Sequence, residues 1–250
     1  MNGARALVRG LLLATGLAGL LWAAAAIPSF SEMALVGDAV ARIIVDDRFK
    51  PGALADTLAR IKTERGIGPS QPELLRARAL IQLRLAEEAM ARQSSEEADR
   101  RIAVALQDVR SAIADEPGDS FLWLMLYSVE TNRSGFDPQY IRYLGQSYVA
   151  GPHEGWISLR RNRLALGVFE MLDEKNRLAA ILEFEEMVDA DFIENAALNM
   201  IGVGWKHREQ LLAALGKADI VSRQSLNKRL AADGIKLPIP GIPLDERPWR

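Results

Sequence analysis

Apart from two N-terminal arginines, the chain has one dense basic cluster, Arg160-Arg161-x-Arg163. A guanidinium group presents its N–H donors as a planar fork that matches the oxygens of carboxylates and phosphates. The cluster could therefore bind an acidic peptide tail, an anionic glycan or a lipid phosphate. The alternative is a solvated helix face on which the arginines pair with nearby acids such as Glu154 or Asp173.

An acidic stretch follows the basic cluster. Paired-carboxylate catalysis or metal binding needs side chains that converge, and a single helix rarely supplies that geometry. Leu182, Phe184 and Met187 interleave with the acids, which is typical of an amphipathic helix with a solvent face. We therefore predict no metal site here. The acids are Glu183, Glu185, Glu186, Asp189, Asp191 and Glu194.

Signals for other chemistry are weak. His153 and His207 are the only histidines, and neither has a second ligand at metal spacing or a nucleophile elbow beside it. Gly66-x-Gly68 and Gly202-Val203-Gly204 lack the setting of a phosphate-binding loop. The absence of cysteine excludes disulfides, thiol nucleophiles and cysteine-bound zinc. The sequence thus predicts a non-enzymatic protein with no catalytic residue, no cofactor and no bound metal.

Aromatic residues crowd the middle of the chain and could stack against sugars in a groove. Their helical spacing instead favours packing between helices for most of them. They are Trp123, Tyr127, Tyr140, Tyr143, Tyr148 and Trp156.

An uncharged, leucine-rich run from Gly10 to Phe30 follows Arg5 and Arg9. About twenty helical residues cross the roughly 30 Å of hydrocarbon in a bilayer. The arginines upstream predict a cytoplasmic N-terminus and export of the rest. A cleaved signal peptide ending near Ala23–Ala26 is the main alternative, and a buried helix of a soluble protein is another. We expect a single-pass inner-membrane protein with its C-terminal domain in the periplasm.

Composition and charge limit the class of protein to which the exported part can belong. The chain has 250 residues, of which 49% are hydrophobic and 26% charged, a balance typical of globular proteins. Its formal net charge of −2 offers no electrostatic footprint for nucleic acid. We expect a membrane or periplasmic protein as the partner and no nucleic acid.

Beyond the apolar run, apolar residues recur at helical spacing almost without a break, and no segment alternates convincingly like a strand. Proline, glycine and aspartate stand where helices should stop or start. The predicted fold class is therefore all-α. The predicted helices cover residues 32–46, 52–65, 72–92, 95–115, 120–133, 138–150, 155–172, 174–189, 192–202, 206–216 and 219–232.

A weak repeat runs through these helices. Ala105-x3-Val109-x2-Ala112-x4-Pro117 is followed, about 35 residues later, by Tyr140-x3-Leu144-x2-Ser147-x4-Pro152. Each proline precedes an aromatic at the same distance, Phe121 and then Trp156. A third copy is Ala180-x3-Phe184-x2-Met187. The pattern resembles the tetratricopeptide repeat, which pairs antiparallel helices in units of about 34 residues.

The resemblance implies a right-handed solenoid of stacked antiparallel helix pairs, here preceded by one transmembrane helix. It also implies that Trp156, Leu159 and Arg163 lie on the inner helix face, which such arrays use for ligands. Together with Arg160, they are the candidate partner-binding residues. The anchor and the repeat are similar to those of small helical-repeat proteins that accompany envelope polysaccharide assembly and export machinery.

The C-terminal segment, residues 235–250, differs from the rest because its closely spaced prolines forbid a helix and favour an extended strap. Its apolar residues could pack back along the last helices as a cap or dock a partner. The predicted organisation is a cytoplasmic segment 1–9, an anchor 10–30, a periplasmic helical domain 31–234 and this strap.

These observations favour a membrane-anchored periplasmic adaptor that binds partner proteins. A periplasmic chaperone or secretion accessory is the first alternative, and a wide apolar groove would indicate it. A glycan-binding protein or an unrecognised helical enzyme is the second. A groove lined with arginines would favour the adaptor.

Overall fold

The computed structural model describes residues 2–44, 47–61, 72–92 and 95–243, and within the first of these ranges it places side chains for residues 10–23 and 36–44. Every regular element in the described residues is an α-helix or a short 3₁₀-helix, and no strand occurs among them. This confirms the predicted all-α class. The chain forms two compact units, Met1–Asp115 and Glu116–Arg250.

The described residues of the first unit form four α-helices: α1 (Asn2–Ile44), α2 (Ala53–Arg60), α3 (Pro72–Arg92) and α4 (Ser95–Asp115). The sequence predicts a separate helix starting at residue 32, but α1 is continuous through that point. The reason is visible in its last turns, where Val36, Ala39 and Ile43 recur at helical spacing and are buried. Burial of these three side chains stabilises a helix that continues through residue 32 over one that restarts there.

Neighbouring helices α3 and α4 form a long antiparallel pair, and α3 also packs on α1 and α2. Ala105, Val109 and Ala112, the first copy of the repeat, are all buried on α4. Small side chains at two of these positions let the helix backbones approach closely. A half-buried ion pair, Arg78 Nε to Asp108 Oδ2 at 3.0 Å, adds a polar tie between α3 and α4.

The second unit begins its main helices at aspartates whose carboxylates accept backbone N–H groups. Asp119 caps α5, Asp173 caps α8 and Asp219 caps α11, at distances between 2.7 and 3.0 Å. Gly135 and Gly234, both with φ in the left-handed region, follow α5 and α11 and end them. The helices are α5 (Ser120–Ser134), α6 (Ile141–Ala150), α7 (Gly155–Gly167), α8 (Glu174–Asp189), α9 (Ile193–Ile201), α10 (Arg208–Ala214) and α11 (Ile220–Ala232).

Within this unit, α5 packs on α6 and α7 packs on α8 as adjacent antiparallel pairs. Helix α7 also contacts α5 and α9, and α8 contacts α6, α10 and α11. The predicted helix 155–172 is shorter than expected, because α7 ends at Gly167 and a 3₁₀-helix occupies Phe169–Met171. That tighter turn buries Phe169 and Leu172 in the core.

The start of the C-terminal strap runs back along α11. Residues 235–239 form neither helix nor strand, and Leu237 and Ile239 are buried. The Ile235 N–H donates to the Leu230 carbonyl at 3.0 Å, and the Arg223 guanidinium donates to the Pro240 carbonyl. The strap thus covers α11 from its last turn towards its first. Residues 244–250 lie outside the described residues.

Two observations concern the predicted anchor. In the part of the chain whose side chains are placed, no helix is both long enough and apolar enough to cross a bilayer. The predicted span 10–30 extends beyond that part, since the side chains of residues 24–30 lie outside the described ones. The boundaries of this span stay a prediction.

Candidate functional site

Helix α7 separates the three arginines of the basic cluster. Successive residues of an α-helix point about 100° apart, so neighbours in sequence meet different surroundings. Arg161 is fully buried, Arg160 is half-buried and Arg163 is exposed. A single basic cluster in the sequence therefore becomes one core residue and two surface residues.

The guanidinium of Arg161 uses all of its N–H groups. Its Nε and Nη2 atoms lie 2.8 and 2.7 Å from Oε1 of Glu183 on α8. Nη1 donates to the carbonyls of Ser147 and Gly151 at 2.8 and 2.9 Å, and Nη2 donates to that of Pro152 at 3.2 Å. The sequence had suggested Glu154 or Asp173 as partners for the cluster, but the partner of Arg161 is Glu183.

These three carbonyls lie at and just beyond the end of α6. Carbonyls of the last helical turn have no partner within the helix, and the negative end of the helix dipole lies there. Arg161 supplies both the donors and the positive charge that this end requires. Gly151, whose carbonyl is one of the three, packs closely on α5: a Cβ there would lie 2.8 Å from Cβ of Ser120.

Tyr148 completes the buried group. Its hydroxyl donates to Oε2 of Glu183 at 2.8 Å, and the guanidinium carbon of Arg161 lies 4.3 Å from its ring centroid. Burial, together with the charge of Glu183, raises the pKa of Tyr148 well above its ordinary value, so the phenol remains a donor. Burial also raises the pKa of Glu183, while Arg161 and Tyr148 act in the opposite direction. We call Arg161, Glu183 and Tyr148 the buried network.

The position of Glu183 corrects the interpretation of the acidic stretch as a solvent face. Glu183 is buried, whereas Asp189, Asp191 and Glu194 are exposed as expected. A signal was present in the spacing, because Glu183 lies three residues after Ala180 and four before Met187, on the buried stripe of α8. An acid on the apolar face of a helix indicates a buried partner.

Two asparagines extend the polar contacts to α9. The Asn162 side chain donates to the Ala180 carbonyl at 2.8 Å, and the Asn199 side chain donates to Oδ1 of Asn162 at 3.0 Å. All these groups satisfy one another. The buried polar residues therefore hold α6, α7, α8 and α9 together, and they lie away from the opposite face of α7.

That opposite face carries the predicted partner-binding residues. Trp156, Arg160 and Arg163 follow one another at spacings of four and three residues and form one stripe, which we call the α7 stripe. Leu159 lies half-buried at its edge. Helix α7 contains three arginines and no acidic residue. The stripe is therefore cationic, with an aromatic ring at one end.

Neighbouring helices support both sides of the α7 stripe. The Trp156 ring, 36% exposed, packs 4.8 Å from the Phe121 ring on α5. On the other side, the contact between Asn162 and Asn199 positions α9 beside α7. Sequence reasoning located the stripe but missed the buried network that holds its helix in place.

Other aromatic residues of the middle region pack against one another. The Tyr143 ring stacks with those of Trp123 and Tyr140, at centroid distances of 6.1 and 6.2 Å, and the guanidinium of Arg142 lies over it. The indole N–H of Trp123 donates to the Pro117 carbonyl at 2.8 Å. The stacking of Trp123 on Tyr143 joins α5 to α6, which is the packing between helices that the spacing favours.

Each histidine contacts a residue outside the α7 stripe. His153 Nδ1 is 2.9 Å from Oε1 of Glu186, both at the surface, and the His207 ring lies 4.3 Å from that of Phe169. No three His, Asp or Glu side chains in the described ranges could together hold a metal ion. Comparison with protein-family models, curated proteins and solved structures found no match to this chain.

Proposed function

We propose that this protein is a non-enzymatic, membrane-anchored adaptor whose helical domain binds a partner protein in the periplasm. The observation that carries the proposal is the exposure of every described side chain from Gly10 to Trp22 on α1. The large apolar ones among them are 61–75% exposed. They are Leu11, Leu12, Leu13, Leu17, Leu20, Leu21 and Trp22.

Leucines on every side of a helix need an apolar environment. Each square ångström of apolar surface kept from water is worth roughly 25 cal/mol, so this segment gains much by entering lipid. The uncharged run continues in sequence to Phe30, which is the length a bilayer requires. The continuity of α1 up to Ile44 favours a retained anchor over a cleaved signal peptide.

The α7 stripe supports the adaptor over the alternatives. Arginine and tryptophan are the side chains that most often dominate protein interfaces. An exposed arginine, Arg163, on a helix without acids favours an anionic partner segment, whereas a chaperone would be expected to offer a wide apolar groove. The contacts of α7 with α5 and α9, and of α8 with α6, support a tetratricopeptide-like solenoid in which helix pairs stack.

We expect the full-length protein to stay in the membrane fraction after a high-salt wash, because lipid burial of α1 does not depend on ionic contacts. Replacing Leu13 and Leu17 by arginine should release it, since each arginine costs about 2.5–3.5 kcal/mol at the bilayer centre. Recovery of a mature form beginning near Ile27 in the soluble periplasm would refute a retained anchor.

Crosslinking in intact membranes tests the adaptor. A photo-crosslinker at Leu159 should capture a defined partner, and Arg163→Glu should lower the yield at least tenfold, about 1.4 kcal/mol, because it reverses charge in the α7 stripe. Lys175→Glu, an equal charge reversal at an exposed position on α8, is the matched control. Equal yields from both variants would argue against the stripe as the binding site.

A further inference from the structure

Three large apolar side chains are exposed where α9 leads into α10. Leu198, Val203 and Trp205 are 55%, 37% and 41% exposed and fall within eight residues of one another. We call residues 198–208 the α9–α10 turn. A concentration of large apolar side chains at the surface is a mark of an interaction site.

The backbone of this turn is firmly held. Gly204 donates to the Asn199 carbonyl at 2.8 Å, Trp205 to that of Gly202 at 3.2 Å, and His207 to that of Gly204 at 2.9 Å. A Cβ on Gly204 would lie 2.9 Å from Leu211 and 3.3 Å from Leu166. Gly204 therefore packs closely against the core. This packing and the backbone hydrogen bonds fix the neighbouring Trp205 at the surface.

Two cationic residues lie next to the exposed indole. The guanidinium carbon of Arg208 lies 4.8 Å from the Trp205 ring centroid, and its Nη1 donates to the Trp205 carbonyl at 2.9 Å. Lys206 is exposed beside it. An exposed carboxylate, Glu209, directly follows Arg208. An apolar surface that carries tryptophan and two cations matches the boundary between lipid tails and anionic headgroups.

We propose that the α9–α10 turn inserts Trp205 into the headgroup region of an anionic bilayer, as a second membrane contact in addition to α1. Tryptophan favours this interface because its ring is apolar and its N–H is polar. Lysine and arginine side chains are attracted to the negative surface potential of such a bilayer. The inference rests on the proposed anchor, which keeps the domain close to lipid and raises the effective concentration of the turn there.

The test uses the full-length chain with Trp22→Phe, reconstituted in phosphatidylcholine vesicles with and without phosphatidylglycerol, with bromine on the lipid chains. Bromine quenches nearby indoles, so Trp205 should be quenched in the anionic vesicles. Trp205→Phe should lose most of the quenched signal, whereas Trp156→Phe, the matched control, should keep it. Lys206→Glu should weaken quenching in the anionic vesicles.

Sedimentation with the vesicles separates this inference from the anchor. If all variants co-sediment but Trp205→Phe leaves quenching unchanged, the turn does not insert and the inference is wrong while the anchor stands. Equal quenching with and without phosphatidylglycerol would overturn the anionic preference. Crosslinking of an unquenched Trp205 to a second copy of the chain would assign the turn to a protein interface. Failure of every variant to sediment would remove the anchor and this inference together.

Discussion

Replacing Arg161 by methionine should destabilise the second unit by about 3–5 kcal/mol, since it leaves the buried Glu183 without its counter-charge. The carbonyls of Gly151 and Pro152 lose their Arg161 donors in the same step, and that of Ser147 keeps only the Gly151 N–H. In a unit of this size, the loss corresponds to a fall in melting temperature of about 10–20 °C. Thermal and urea unfolding of the full-length chain in detergent measures it, and amide exchange in α6 and α8 locates it.

Arg163→Met is the matched control, because it makes the same change in the same cluster at an exposed position. It should alter the free energy of unfolding by no more than about 0.5 kcal/mol. The double variant Arg161→Met/Glu183→Leu should be more stable than the sum of the single effects indicates, with a coupling of about 2–3 kcal/mol. Additive effects would mean that Arg161 and Glu183 do not stabilise each other.

The second large effect is expected in the first unit, where Ala112→Glu should cost about 3–5 kcal/mol. Ala112 is 2% exposed on α4, so a glutamate there would bury an unpaired charge or force the helices apart. Loss of helical circular dichroism at a lower temperature is the expected signal for the full-length protein in detergent.

Ala114→Glu provides the comparison, because Ala114 is exposed on the same helix and two residues away. Its effect should stay within about 0.5 kcal/mol, since helix propensity changes little and no charge is buried. An Ala112→Glu protein that melts like Ala114→Glu would show that Ala112 does not lie at a contact between helices.

The Arg161 prediction bears on function through the proposed binding face. The α7 stripe can present Trp156 and Arg163 to a partner only while α7 stays fixed, and Arg161, in the same helix, ties α7 to α6 and α8. We therefore expect Arg161→Met to weaken partner crosslinking as well as stability. Arg163→Glu should weaken crosslinking alone, which distinguishes loss of the face from loss of the fold.

The sequence was sufficient for the fold class and for most helix limits because those depend on local signals. Aspartates such as Asp119 and Asp173 cap helices through neighbours two or three residues away. Buried positions such as Val109 follow from the spacing of apolar residues along one helix. Because each signal acts within a few residues, it can be recognised without knowing what the helix packs against.

The division of roles within Arg160-Arg161-x-Arg163 was decided only by the tertiary structure. Arg161 and Glu183 are 22 residues apart in sequence, and their pairing depends on how α7 lies against α8. A charge can be buried only where another helix supplies its counter-charge and hydrogen bonds, so burial is a property of the packed unit. Of the three arginines in this pattern, Arg161 therefore lies in the core, and Arg160 and Arg163 lie at the surface. Packing between residues distant in sequence determines which is which.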